Sequence, residues 1–221
     1  MIVLGIDAGG GACSVALTKN GRPLRISSAP MRHGHAEHLV PAIERVLAEC
    51  GLTPSALGLI GVTVGPGAFT GLRVGLAAAG GLALATGAPI VGVSSFDAVA
   101  AMCRPLKREE RRAVIIDSRR AEPFVQLFDA KGTAGQASWR TIPAIIDQLQ
   151  AADVTLLAGD GAPAIASASD DRSITVEADG PVDPLAVCRL ALERADEGSA
   201  DPPAPAYLRP PDARLPAPTA G

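Results

Sequence analysis

A two-lobed α/β fold is the architecture this sequence predicts, and three observations carry the prediction. Residues 1–104 open as three strands, a helix, a strand and a helix, the order βββαβα. A polar, charged stretch at 104–112 breaks the pattern, and a second, smaller mixed lobe follows at 105–200. The hydrophobic share is 48% but aromatics supply only 3%, with 24 glycines and 19 prolines, so the core must be built from Ala, Val, Leu and Ile. Small side chains of this kind let backbones approach closely. Residues 201–221 form a Pro/Ala-rich tail, expected to be extended or partly disordered.

The elements follow in order. Residues 2–6 are β-rich and end at Asp7; Gly9, Gly10 and Gly11 make a turn, and residues 13–18 return as a second strand. Asn20-Gly21 is a strong hairpin signal, leading into a third strand at 24–28. Leu39, Ile43, Val46 and Leu47 stand at helical spacing in 36–50, with Gly51 as the stop. A strand at 59–64 is broken by Gly65-Pro66-Gly67; Thr70 is the expected cap of a helix running to Thr86 and ended by Gly87. A strand at 90–93 and a helix capped by Ser94 or Ser95 complete the first lobe. In the second lobe, strands are expected at 113–116 and 123–128, with a turn at 129–132. Thr141 should cap a helix to about 152; strands at 154–158 and 174–177 follow. Asp183-Pro184 starts a last helix that stops at Gly198.

A net charge of −3 excludes a protein that holds nucleic acid alone through a large basic face. Cys13, Cys50, Cys103 and Cys188 are widely spaced without a CxxC, which reads as reduced thiols in a cytoplasmic protein. Asp7 interrupts the apolar start, so no signal peptide is expected. Residues 74–96 are uncharged and long enough to span a bilayer. However, Gly87 and Pro89 divide that stretch, and a buried helix followed by a buried strand accounts for it without a membrane.

Four segments could carry chemistry. Asp7 with Gly9, Gly10 and Gly11 has the layout of a phosphate-cradling hairpin, in which glycines let N–H groups approach phosphate oxygens; a tight turn capped by Asp7 fits equally. No GxxxxGK[ST] occurs. The run from Gly65 to Gly75 is a strand, a rigid turn and a helix with a flat stripe at Gly71, Gly75 and Ala79, suited to close packing against either the sheet or a partner helix. His33, His35 and His38 lie within six residues, but no pair has i,i+4 spacing and there is no HExxH; a polar helix entry explains them without a metal. Asp117, Arg119 and Arg120 end a strand at the second lobe, where they face an anion or form a charged turn. No Ser-His-Asp or Cys-His set can be assembled.

Together these segments resemble the TsaB (YeaZ) family. Ile6-Asp7-Ala8 and Cys13-Ser14-Val15-Ala16-Leu17 resemble its first strand pair. His35-Ala36-Glu37-His38-Leu39-Val40-Pro41 resembles its first helix entry, and Gly65-Pro66-Gly67-Ala68-Phe69-Thr70-Gly71-Leu72-Arg73-Val74-Gly75 its long signature. Gly92-Val93-Ser94-Ser95-Phe96, Ile116-Asp117-Ser118-Arg119 and Ala206-Tyr207-Leu208-Arg209 fit later landmarks in the right order.

The resemblance implies an ASKHA fold, as in actin and Hsp70. It also implies a non-catalytic subunit that binds TsaD, the ATP- and metal-using paralogue, with TsaE as an ATPase. That complex makes N6-threonylcarbamoyladenosine at position 37 of tRNA. Contact with tRNA is then expected only within the complex, and self-association is possible when TsaD is absent. No cofactor or metal of its own is implied. The partner surface implied lies on the helices at 36–49 and 70–86, with His35, Leu39, Ile43, Thr70, Gly71, Arg73, Val74, Gly75 and Ala78 as its residues. On this reading Gly75→Leu weakens the heterodimer and leaves the monomer folded. Gly9, Gly10 and Gly11 stand where relatives often carry Thr-Ala-Thr-like residues, which leaves a vestigial phosphate loop of Asp7, Gly9, Gly10 and Gly11, or an ASKHA phosphotransferase or ATPase, as the alternative.

Overall fold

The computed structural model describes residues 1–198 and 203–209. Two five-stranded mixed sheets form its frame. The first contains β1 (Ile2–Asp7), β2 (Ala12–Lys19), β3 (Arg22–Pro30), β4 (Leu59–Gly65) and β5 (Ile90–Ser94), in the spatial order β3-β2-β1-β4-β5. Strands β1 to β3 pair antiparallel, while β4 and β5 add parallel to β1. The second contains β6 (Arg111–Ile116), β7 (Phe124–Asp129), β8 (Ser138–Trp139), β9 (Leu156–Ala158) and β10 (Thr175–Ala178), in the order β8-β7-β6-β9-β10. Its pairing repeats the first: antiparallel through β6, β7 and β8, parallel through β9 and β10. The lobes are therefore two copies of one topology, with Asp7 and Asp117 just at the ends of equivalent central strands.

The helices are α1 (His35–Glu49), α2 (Phe69–Thr86), α3 (Ser95–Ala100), α4 (Ile142–Ala151), α5 (Ala162–Ala168) and α6 (Pro184–Asp196). Alternation along β1 explains the layering. Leu4 and Ile6 face α1 and α2, where they meet Leu39, Ile43, Val46 and Leu47 in one core cluster. Val3 faces the opposite way, into a cluster with Val187, Cys188 and Ala191 of α6. A third cluster, around Ile115, Val125, Ile145, Leu149 and Ile165, holds α4 and α5 on the second sheet. Each fully buried Leu or Ile of this kind contributes about 2 kcal/mol.

Three local expectations need correction. Thr70 does not cap α2: the helix begins at Phe69 and its N-cap is Ala68, with no side-chain cap. Thr141 occupies the N-cap of α4 without a side-chain bond, whereas Ser94 and Asp183 do cap α3 and α6. The residues expected at 154–158 begin as loop, and β8 and α5 were not apparent from the sequence pattern. They are short, and α5 is mostly Ala and Ser, so neither carries a readable period.

The division of the chain at residue 104 is not the division in space. Helix α6, in the second half of the sequence, packs on the first sheet. Gly5 and Gly61 make this possible: a Cβ on Gly5 would run into Pro184 O and lie 2.7 Å from Cys188 Sγ, and one on Gly61 would lie 2.7 Å from Ala191 Cβ. The cluster under α6 continues through Phe96 and Val99 of α3 to Val114, Ile116 and Phe128 of the second sheet, so the lobes share a core. Residues 203–209 then cross back over both lobes. Ala206 N donates to Val64 O at 2.7 Å, and Arg209 Nη1 pairs with Glu122 Oε2 at 2.9 Å. Residues 199–202 and 210–221, most of the expected tail, lie outside the described residues.

Candidate functional site

The inter-lobe junction gathers the acidic residues singled out in the sequence. Asp7 is 1% exposed; its Oδ1 accepts a hydrogen bond from Thr63 Oγ1 at 2.7 Å and a long one from Gly9 N at 3.4 Å. Its Oδ2 is buried with no hydrogen bond among the described residues. Burial pushes its pKa up to about 6, against the opposing pull of the Thr63 hydroxyl and the Gly9 N–H. Across the junction Asp160 Oδ1 accepts from Asp117 N at 2.9 Å, and burial raises the Asp160 pKa as well. Asp117 Oδ1 accepts from Arg119 N at 2.8 Å, and Arg119 Nη2 reaches Gly10 O at 3.3 Å.

The triple-glycine turn is shut by the start of α2. Ala68 N donates to Gly9 O at 2.8 Å, a Cβ on Gly67 would lie 2.5 Å from Gly9 O, and a Cβ on Gly9 would lie 2.5 Å from Leu72 Cδ2. Gly9 N points at Asp7, not at an open cradle. The cavity at the junction, lined by Gly10, Pro66, Ser95, Ile116 and Asp160 among others, has a volume of about 20 Å³, room for about one water. Among the described residues no three His, Cys, Asp or Glu side chains are placed to hold a metal ion.

The helix pair divides the residues assigned to a partner surface. Leu39 and Ile43 are 0% and 3% exposed, inside the core between α1 and the sheet. Gly71 and Gly75 are also buried. A Cβ on Gly71 would collide with the carbonyl of Ala8, and one on Gly75 would touch Val62, Ala8 and Ile6 at 3.6–3.8 Å. The small-residue stripe is thus spent on seating α2 against the first strand and its turn. At Gly75 the first added carbon already meets three core side chains, so the further carbons of Gly75→Leu press on the core and the expectation that the variant spares the monomer does not follow. His35 is 8% exposed at the start of α1, its Nε2 without a partner among the described residues, and burial followed by the Arg119 charge lowers its pKa.

Thr70 and Arg73 are exposed, and Val74 and Ala78 half-buried. They border residues that the sequence reading missed. Ala77, Gly81 and Leu84 run along the outer side of α2, with Val40 of α1 exposed beside the same helix pair. Leu84 is 91% exposed and Val40 49%. The signal was available: taking Gly71, Leu72, Gly75 and Ala79 as the inward face puts 70, 73, 77, 81 and 84 opposite. Helix α2 is long and apolar enough to cross a membrane, yet only those four residues of it are fully buried.

Duplicated mixed sheets, with helices on both faces of the first and acidic residues at the equivalent strand ends, define a two-lobed, actin-like protein of the ASKHA class. Comparison with known proteins narrows this. Residues 30–174 match the family model described as "TsaD: tRNA N6-adenosine threonylcarbamoyltransferase". The chain is 33% identical over 124 residues to the tRNA threonylcarbamoyladenosine biosynthesis protein TsaB of Haemophilus influenzae, covering 56% of this chain and 52% of that protein. It is 35% identical over 184 residues to an uncharacterized protein of Mycobacterium tuberculosis, covering 81% and 77%. The solved structure of YeaZ from Pseudomonas aeruginosa superposes with a TM-score of 0.77 at 27% identity, over 94% of this chain and 99% of that one. The chain belongs to the TsaB (YeaZ) family, within the wider group that the threonylcarbamoyltransferase model describes. It spans about half the length of the curated TsaB proteins it matches.

Proposed function

We propose that this protein is a non-catalytic subunit in the formation of N6-threonylcarbamoyladenosine at position 37 of tRNA. It docks a TsaD-type catalytic partner through the outer face of α1 and α2 and works in the cytoplasm, with a TsaE-type ATPase joining the assembly. The observation that carries the reading is the exposed, uncharged strip of Ala77, Gly81 and Leu84 on α2, with Val74 half-buried along it and Val40 exposed on α1. Such a strip is unfavourable in water and marks a surface built to be covered. The same strip accounts for self-association when the partner is absent, since an isologous contact uses one patch on both copies. ATP and metal belong to the partner on this reading. The alternative, phosphotransfer through Asp7 and the Gly9–Gly11 turn, has less support, because the cavity beside that turn has a volume of about 20 Å³.

The experiment is size-exclusion chromatography with light scattering, mixing the full chain with the TsaD-type protein of the same organism. Wild type is expected to form a one-to-one complex that displaces any homodimer. Leu84→Glu should remain folded and fail to form it. No complex with wild type, with or without ATP and magnesium, refutes the proposal.

A further inference from the structure

The chain has six aromatic residues, one Trp, one Tyr and four Phe. Phe96, Phe124 and Phe128 are buried, as expected of scarce core-formers. The other three stand together at the surface: Phe69 is 47% exposed, Tyr207 44% and Trp139 40%. Their planes are interleaved with guanidinium groups. Arg73 lies 3.7 Å over the Phe69 ring and 5.8 Å from the Tyr207 ring, and the two rings are 5.2 Å apart. Arg209, two residues along the crossing segment, lies 5.3 Å from the Trp139 ring. The row therefore runs from the start of α2, over residues 203–209, to β8 of the second lobe.

Arg73 Nε is bonded to Tyr207 Oη at 2.8 Å, and its two Nη groups make no hydrogen bond among the described residues. Arg119 and Arg209 are paired with Asp117 and Glu122, which leaves Arg73 as the guanidinium of this face without an acidic partner among the described residues. Beyond Thr70 and Arg73 the outer side of α2, at Ala77, Gly81 and Leu84, carries no charge, so this face and that strip meet at Arg73. Exposed aromatic rings and guanidinium planes are what unpaired bases stack on, and unengaged guanidinium nitrogens are what phosphates take. We propose that the Phe69–Arg73–Tyr207–Arg209–Trp139 face binds an unpaired loop of RNA. This rests on the tRNA-modification reading above and gives the subunit a direct share in holding the substrate.

Trp139 is the only tryptophan, so its fluorescence reports on this face. An RNA stem-loop and the same stem as a loop-free duplex are titrated into the full chain, alone and in complex with its TsaD-type partner. The stem-loop is expected to quench Trp139 and the duplex to leave it unchanged. Tyr207→Ala should weaken stem-loop binding by about tenfold, the loss of one stacked base, and Tyr207→Phe should restore it. No quenching by the stem-loop in either state overturns the proposal, even where the partner complex forms. A change in Trp139 emission on adding the partner, with none on adding RNA, also overturns it and assigns the face to protein contact. Failure of the partner complex refutes the docking reading instead, and the titration of the chain alone still decides this one.

Discussion

Replacing Asp7 by Asn should stabilise this protein at neutral pH. Asp7 is fully buried and its pKa stands at about 6 against an ordinary 3.8. Between those values the folded chain holds a proton that the unfolded chain has released. Stability therefore falls as pH rises through that window, and the loss is complete above about pH 7. The separation corresponds to about 3 kcal/mol for keeping this carboxylate ionised in the fold. Asn keeps an acceptor for the Thr63 hydroxyl and removes the charge, but places an amide where Oδ2 has no partner. Allowing about 1 kcal/mol for that amide, Asp7→Asn gains about 2 kcal/mol at pH 8 and loses about 0.5 kcal/mol at pH 4. Thermal melts at a series of pH values measure this. For a domain of this size the gain is about 4–8 °C at pH 8. An Asp7→Asn variant that melts no higher than wild type at pH 8, with the same pH dependence from 4 to 7, would refute the assignment of a buried, destabilised carboxylate.

Other substitutions test the packing. Gly71→Ala forces a methyl into the Ala8 carbonyl and should cost about 3 kcal/mol. Gly80→Ala, on the same helix with nothing within 4 Å of the new Cβ, should add about 0.8 kcal/mol; chemical denaturation distinguishes the two. Arg112 is 3% exposed, pairs with Glu177 at 2.5 Å and donates to Arg104 O at 2.7 Å. Arg112→Ala leaves Glu177 with Arg104 alone, at 3.2 Å, and should cost about 2 kcal/mol; adding Glu177→Leu should recover part of it. Burial pushes the thiols of Cys13 and Cys188 up to about 11 and about 12, so a thiol reagent should label half-exposed Cys50 in the native protein and reach those two only on unfolding.

Much of the fold was legible because its signals are local. Asn20 and Gly21 both take positive φ, at 52° and 75°, as a tight hairpin requires, and Gly51, Gly87 and Gly198 end helices in the left-handed region. The spacing of Leu39, Ile43, Val46 and Leu47 sufficed to place α1 and its buried face. The motif from Gly65 to Gly75, with its neighbours in order, sufficed to indicate the family.

What the chain does with each face was decided only in three dimensions. A glycine stripe is compatible with a partner helix or with a sheet, and periodicity does not say which. The answer came from Ala8, whose carbonyl occupies the space that a side chain on Gly71 would need. Nor does a local pattern reveal that α6 returns to the first sheet over Gly5 and Gly61, or that the lobes repeat one topology. The first depends on contacts between residues more than a hundred positions apart, the second on strand pairings that no local pattern records. The aromatic–arginine face is the same kind of fact. Phe69, Trp139 and Tyr207 are far apart along the sequence, and they become one surface because residues 203–209 are held across both lobes by Val64 and Glu122. Sequence determines the elements through short-range sterics and periodicity, whereas the use of each face is set by long-range packing, which depends on which surfaces the other elements have already filled.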